Sequence, residues 1–322
     1  MAIKNSRKIV VLATGGTIAG LAAQPSDQHY TAALLPVTDL LRDLDLGAAA
    51  SGWTLASEQV AQIDSKDMTP AVWAELARRC AVHLACADVA GLVITHGTDT
   101  AEETAFFLQS VLRPSKPVAL TGAMRPANAP DADGPGNLRD ALHWVRHAVE
   151  EPQLAAHVVL VAAGEVHAAQ AVQKVFSDRP EAFSSGPQGP LARIAPGGTQ
   201  VLGQPVVQDW RAPSVAQLGK GEAWPEVRLV HSHAGADGRE VRALMALPHP
   251  PRGWVVAGTG AGTVHRELAR ALQEAQQRGA QVWCTSRCVW GRASKPEAHG
   301  WHIAHGLNPA KARIALTLDL MA

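Results

Sequence analysis

The chain has 322 residues, 47% of them apolar and 18% charged, with 29 lysines and arginines against 29 aspartates and glutamates. A length of this order suggests two domains, one large and one smaller, and the apolar content is that of a folded globular protein and not of a disordered one. With no net cationic field and no basic block, neither nucleic acid nor a membrane surface is an expected partner.

In chain order, Lys8–Ala13 reads as a buried strand that runs straight into the stretch VVLATGGTIAG, where a pair of glycines precedes the hydroxyl of Thr17. The only tyrosine of the chain, Tyr30, follows 13 residues later in a polar segment rich in chain breakers. Pro70–Cys86 has helical spacing. Leu92–Thr95 is a second buried strand, and its end, GLVITHGTDT, crowds His96, Thr98, Asp99 and Thr100 together just before a helix at Ala101–Leu112. Thr100 and Glu103 have the spacing of a capping box. Strands are expected at Pro117–Thr121 and His157–Ala162, and a helix at Asn137–Val149. Residues from about Gly197 to Pro225 lose periodicity and read as a linker. Alternation then resumes with strands at Val227–His231, Trp254–Ala257 and Gln281–Thr285 and helices at Val264–Gln277 and Asn308–Leu320.

Strands alternating with helices of this length imply an α/β fold: a mostly parallel, doubly wound sheet in a larger N-terminal catalytic domain (1–200), a linker (201–225) and a smaller α/β C-terminal domain (226–322). In such sheets ligands bind beyond the carboxyl ends of the strands. Two strand ends that both present a threonine therefore suggest one shared crevice. The plain alternative is that each threonine satisfies a free backbone N–H at a turn or helix start.

A threonine hydroxyl is a weak nucleophile and needs a base and a partner for the developing oxyanion. A phenol close above it can donate or relay a proton, which points to Tyr30. The glycines fit no phosphate-binding motif, and His231 and His233 have no further Cys/His cluster beside them, so neither a cofactor nor a metal is expected. Arg125, ahead of Pro126, reads as a loop-shaping residue. The tryptophans, including Trp144, Trp283 and Trp290, read as core or interface. Cys80, Cys86, Cys284 and Cys288 form no CxxC pair and read as buried, reduced thiols. No run reaches about 18 apolar residues and MAIKNSRKIV lacks a long apolar leader region, so a cytoplasmic location is expected.

The segments ATGGTIAG, HYT, DSKDM, THGTDTAEETAFFL, TGAMRPANAPDADGPGNLRDAL and LNPAKAR, in this order and spanning essentially the whole chain, resemble the bacterial-type L-asparaginases. TGGTIA and HGTDT are the two signature segments of that family. The resemblance implies that Thr17 attacks the side-chain amide of L-asparagine to form an acyl-enzyme, that Tyr30 closes over it, and that Thr98, Asp99 and Lys174 form a second polar group. A free amino acid also needs an anion for its ammonium and donors for its carboxylate. Asp99 can supply the first, and Ser65 with Lys66 the second. Whether Lys174 acts as a base or as a charged orienting group is open at this level. Lys66 stands where secreted members of the family carry glutamine, which leaves asparagine-versus-glutamine preference open. The family is usually a tetramer of intimate dimers in which a neighbour completes the site. Here Gly235 takes the place of one such residue, and Glu297 is the nearest candidate for another. Cys80 and Cys86 lack the disulfide spacing of the secreted members. The alternatives to an asparaginase are a mixed-specificity glutaminase-asparaginase and a catalytically weak amino-acid sensor.

Overall fold

In the computed structural model, residues 7–24, 29–42, 52–205, 210–219, 223–294 and 299–322 are described. Glu297 lies outside them. The chain forms two compact units, one comprising residues 1–208 with 214–218, the other 209–213 with 219–322.

The first unit contains, in order, β1 (Arg7–Gly15), β2 (Leu21–Ala22), β3 (Tyr30–Thr31), α1 (Val37–Arg42), β4 (Trp53–Ile63), α2 (Pro70–Ala85), β5 (Val89–Thr95), α3 (Ala101–Leu112), β6 (Val118–Thr121), α4 (Gly134–Val149), α5 (Pro152–Ala155), β7 (Val158–Ala162), β8 (Glu165–Ala168), β9 (Gln173–Lys174), β10 (Phe183–Ser184), β11 (Ala192–Ala195) and β12 (Gly198–Val201). Eight strands form one sheet in the order β12-β11-β8-β7-β6-β5-β1-β4. The five from β7 to β4 run parallel, and β8, β11 and β12 extend it antiparallel. The expected mostly parallel α/β sheet is present, with an antiparallel wing that the strand pattern did not predict.

The inner parallel strands β1, β5, β6 and β7 are apolar because helices cover both faces. One face packs Ile9, Val11, Ala13 and Val93 against Leu138, Ala141, Leu142, Trp144 and Val145 of α4. No residue of α2 or α3 belongs to that cluster; these two helices pack on β5 and β7, with Trp73 and Phe107 stacked between them at 5.1 Å. The stacked pair adds about 1 kcal/mol to what burial alone supplies.

Three local readings need correction. Helix α4 begins at Gly134, three residues ahead of the expected Asn137, because Pro135 is tolerated in a first helical turn. Thr100 does not form a capping box: its hydroxyl donates to the carbonyl of Ser65 at 2.8 Å instead. The stretch from Gly197 is not wholly linker, since Gly198–Val201 pairs with β11.

The second unit is a smaller α/β layer containing β13 (Val227–His231), α6 (Arg239–Met245), β14 (Gly253–Gly258), α7 (Arg266–Gln277), β15 (Gln281–Ser286), β16 (His302–Ile303) and α8 (Pro309–Asp319). Its four strands are parallel in the order β13-β14-β15-β16, and its core collects Trp254, Val256, Leu268, Leu272 and Val282. Of the four thiols only Cys80 and Cys284 are buried; Cys86 and Cys288 are exposed, as is Trp290, because each sits past the end of its helix or strand. No helix among the described residues is long and apolar enough to cross a membrane.

Candidate active site

The site is built at the carboxyl ends of β1 and β5, which are adjacent parallel strands in register with Ala13 beside Thr95. Beyond β1 the chain turns through Gly15 and Gly16, at φ 102° and 83°, conformations that a side-chain-bearing residue adopts only under strain. Beyond β5 it passes Gly97. A Cβ placed on Gly16 would stand 2.3 Å from the Gly97 backbone, and one on Gly97 would stand 2.5 Å from the Ser65 hydroxyl. Gly16 and Gly97 thus meet backbone to backbone with the Ser65 side chain against Gly97, and the residues that follow, Thr17 and Thr98, start from one seam.

Thr17 opens a single 3-10 turn and is buried. Its partner is the phenol of Tyr30, 2.7 Å away, where either oxygen can donate. Tyr30 reaches it from the β2–β3 ribbon, which pairs Ala22 with Tyr30, and its ring edge lies against Gly20. The phenol is 40% exposed, so solvent reaches this pair.

Thr98 is equally buried, on a 3-10 turn leading into α3. Its hydroxyl accepts from the Lys174 ammonium at 2.8 Å, and the same nitrogen donates to Asp99 Oδ1 at 2.6 Å. Because Lys174 is the donor, the Thr98 proton remains available for another acceptor. Lys174 lies on β9, and its backbone N–H donates to Glu102. That carboxylate, one turn into α3, holds the strand in reach of Thr98, a role that no sequence pattern announced.

Ser65 is buried on a short turn against Gly97. Lys66 is directed elsewhere: its ammonium pairs with Asp64 at 2.7 Å and Asp67 at 3.2 Å on an exposed flank. Both carboxylates raise its proton affinity and hold the ammonium on that flank. Lys66→Gln is accordingly expected to leave the ratio of asparagine to glutamine turnover unchanged within about twofold, which steady-state assays with both amides would check.

His96, between β5 and the seam, is fully buried. Its Nδ1–H donates to the Gly97 carbonyl at 2.7 Å, while Nε2 accepts from Thr104 at 2.9 Å, and Thr104 accepts from the Trp73 indole at 2.8 Å. A carbonyl can only accept and an indole can only donate, so every proton in the chain is assigned. Burial pushes the His96 pKa from 6.5 down to about 4. The unfolded chain takes up this proton below its ordinary pKa and the fold refuses it. The associated stability, roughly 3 kcal/mol, is present above pH 6.5 and lost as the pH falls through about 4. Denaturant titrations at neutral and acid pH should show this loss in the native chain and a smaller one in His96→Asn; equal losses would refute the assignment.

Arg125 shapes its loop as expected, bonding the carbonyl and carboxylate of Asp131 and offering its N–H to Asp133. His233 bonds its neighbouring carbonyl, and no group of three metal-ligating residues exists among the described residues. Gly235 forms an exposed left-handed turn in the second unit.

Hydroxyls backed by a phenol and by an ammonium, set at the carboxyl ends of parallel strands, are the tools of a hydrolase. Residues 8–207 match the family model described as asparaginase, N-terminal, and residues 226–322 that of the glutaminase/asparaginase C-terminal domain. The chain belongs to the asparaginase family. It is 34% identical over 320 residues to a glutaminase-asparaginase of Pseudomonas fluorescens biotype A, covering 97% of this chain and 86% of that one. It is 33% identical to L-asparaginase 2 of Escherichia coli K12, over 97% of this chain and 88% of the other. A crystal structure described as a probable cytoplasmic L-asparaginase from Campylobacter jejuni matches with TM-score 0.87 and 33% identity, over 98% of this chain and 95% of that one.

Proposed function

We propose that this chain hydrolyses L-asparagine to L-aspartate and ammonia through a Thr17 acyl-enzyme. The observation that carries the reading is the 2.7 Å contact between the Thr17 hydroxyl and the Tyr30 phenol, set on the seam that also presents Thr98. In this mechanism Thr17 Oγ1 bonds to the amide carbon while its proton passes to the Tyr30 oxygen. Tyr30 in turn gives its own proton to the departing nitrogen, so ammonia leaves and no ionised tyrosine is required. Water then cleaves the ester by the reverse relay. Thr98, oriented by Lys174, turns its free proton to the oxygen on which charge develops. Asp99 uses Oδ1 for Lys174, which leaves Oδ2 for the substrate ammonium, and Ser65 donates to the substrate carboxylate.

Mixed specificity is the second reading. It is supported by the glutaminase-asparaginase relatives and by the withdrawal of Lys66 from the seam. Ammonia release measured separately from asparagine and glutamine separates the two: an asparagine kcat/KM at least about tenfold higher, some 1.4 kcal/mol of transition-state preference, is expected. Comparable rates establish the mixed enzyme, and aspartate binding without ammonia release from either amide removes the hydrolase reading. A cytoplasmic location and a tetramer completed by neighbouring subunits belong to the same proposal. The Campylobacter match supports the location, whereas a Haemophilus influenzae relative is described as a probable L-asparaginase, periplasmic. Sedimentation of the native chain tests the assembly.

A further inference from the structure

A cavity of about 540 Å³ lies in the first unit, far from the seam. It is lined by Ile9 of β1, Trp53 and Leu55 of β4 and Leu142 of α4 on the β1–β4 side, and by Ile194 of β11 on the opposite wing of the sheet. Ile9 and Leu55 are near the amino ends of their strands. Six steps along β1 separate Ile9 from Gly15, which puts this part of the lining about 20 Å from the turn that carries Thr17.

The rim is polar and electrically unbalanced. Helix α4 supplies Arg139, Asp140, His143 and Arg146, spaced so that one helical stripe faces the opening. Among the described residues no ion pair engages either arginine or Asp140. The Arg146 guanidinium lies 5.6 Å from the centre of the Trp53 ring, and its Nε–H is buried with no acceptor. A buried N–H left without a partner costs about as much as a broken hydrogen bond. Burial and the neighbouring Arg146 push His143 toward its neutral form. Two guanidiniums against one carboxyl group then leave a single uncompensated positive charge above an apolar floor. A volume of this size accepts a ligand of about a dozen heavy atoms.

We propose that this cavity is a binding site for a small monocarboxylate with an apolar aliphatic or aromatic body. The carboxylate accepts from Arg146 and Arg139 at the rim, and the body lies on Ile9, Leu55 and Leu142 beside Trp53. The site is separate from the asparaginase reading and does not depend on it.

The test is thermal unfolding of the full chain with about 10 mM sodium 4-phenylbutyrate or sodium octanoate, against 4-phenyl-1-butanol and against sodium chloride at equal ionic strength. Both carboxylates are expected to raise Tm by about 2–4 °C and the alcohol by less than half of that. Arg146→Gln should abolish the carboxylate shift, and Leu55→Trp, which fills the floor, should abolish it independently. Arg146→Gln should keep asparagine turnover within about twofold. The proposal is overturned by the absence of a shift, by an equal shift from the alcohol, or by a full shift in Arg146→Gln. It is equally overturned if neither carboxylate acts while Arg146→Gln changes the sedimenting mass, because the cavity is then covered by another copy of the chain.

Discussion

Thr17→Ala is expected to lower kcat for asparagine hydrolysis by at least about 10⁴-fold while the protein stays folded. The Thr17 hydroxyl is bonded to Tyr30, so its removal deletes the proposed nucleophile and one hydrogen bond. Removing the hydroxyl nucleophile from a hydrolase typically costs more than that, the remainder being catalysis by binding and oxyanion support. Tyr30→Phe is expected to be milder, at about 10²-fold, since water can partly replace a proton relay at an exposed position. Steady-state ammonia release and circular dichroism on the same samples provide the check. A Thr17→Ala enzyme within tenfold of the native rate would move the nucleophile elsewhere, with Thr98 the next hydroxyl on the seam.

The second large effect is expected at Lys174. Methionine has nearly the length of lysine and no charge, so Lys174→Met removes the bond to Thr98 and the pair with Asp99 without emptying the space. Loss of one preorganised donor near a developing oxyanion costs about 10²–10³-fold in kcat. The stability cost should be small, below about 1 kcal/mol, because Asp99 is 59% exposed and solvent already screens the pair. The signature is therefore a large fall in kcat with Tm shifted by no more than a few degrees. Lys174→Arg is not expected to rescue, since a planar guanidinium cannot place one nitrogen on both Thr98 and Asp99 in the same geometry. A Lys174→Met enzyme with native kcat would make the ammonium a structural group only.

The parts of the fold that were legible in the sequence are those whose environment is uniform. β1, β5, β6 and β7 are buried on both faces and read as unbroken apolar runs. β4 was missed although it is the longest strand: as the sheet edge it alternates, WTLASEQVAQI, and its outward polar residues hide it. The short antiparallel strands β8, β11 and β12 lack any run long enough to register. At the site, the two threonines were visible because strand, glycine and hydroxyl recur in the same order. Lys174 was not visible in that way. It sits on a two-residue strand, 76 positions from Thr98, and only the family resemblance pointed to it. The direction of Lys66 was equally hidden, because proximity in sequence says nothing about which carboxylate captures a long flexible ammonium. Glu102 carries no local mark at all, since its function is to hold a backbone N–H from a distant segment.

Where Gly16 touches Gly97, the spacing between the Thr17 and Thr98 hydroxyls is dictated by bare main chain. Even alanine at either position would have to push peptide against peptide, or a serine out of its place. Engineering for altered substrate choice therefore has a fixed hinge pin: saturation libraries at these two glycines should return almost nothing active, whereas libraries aimed at the surrounding rim can vary freely without changing the gauge on which the chemistry runs.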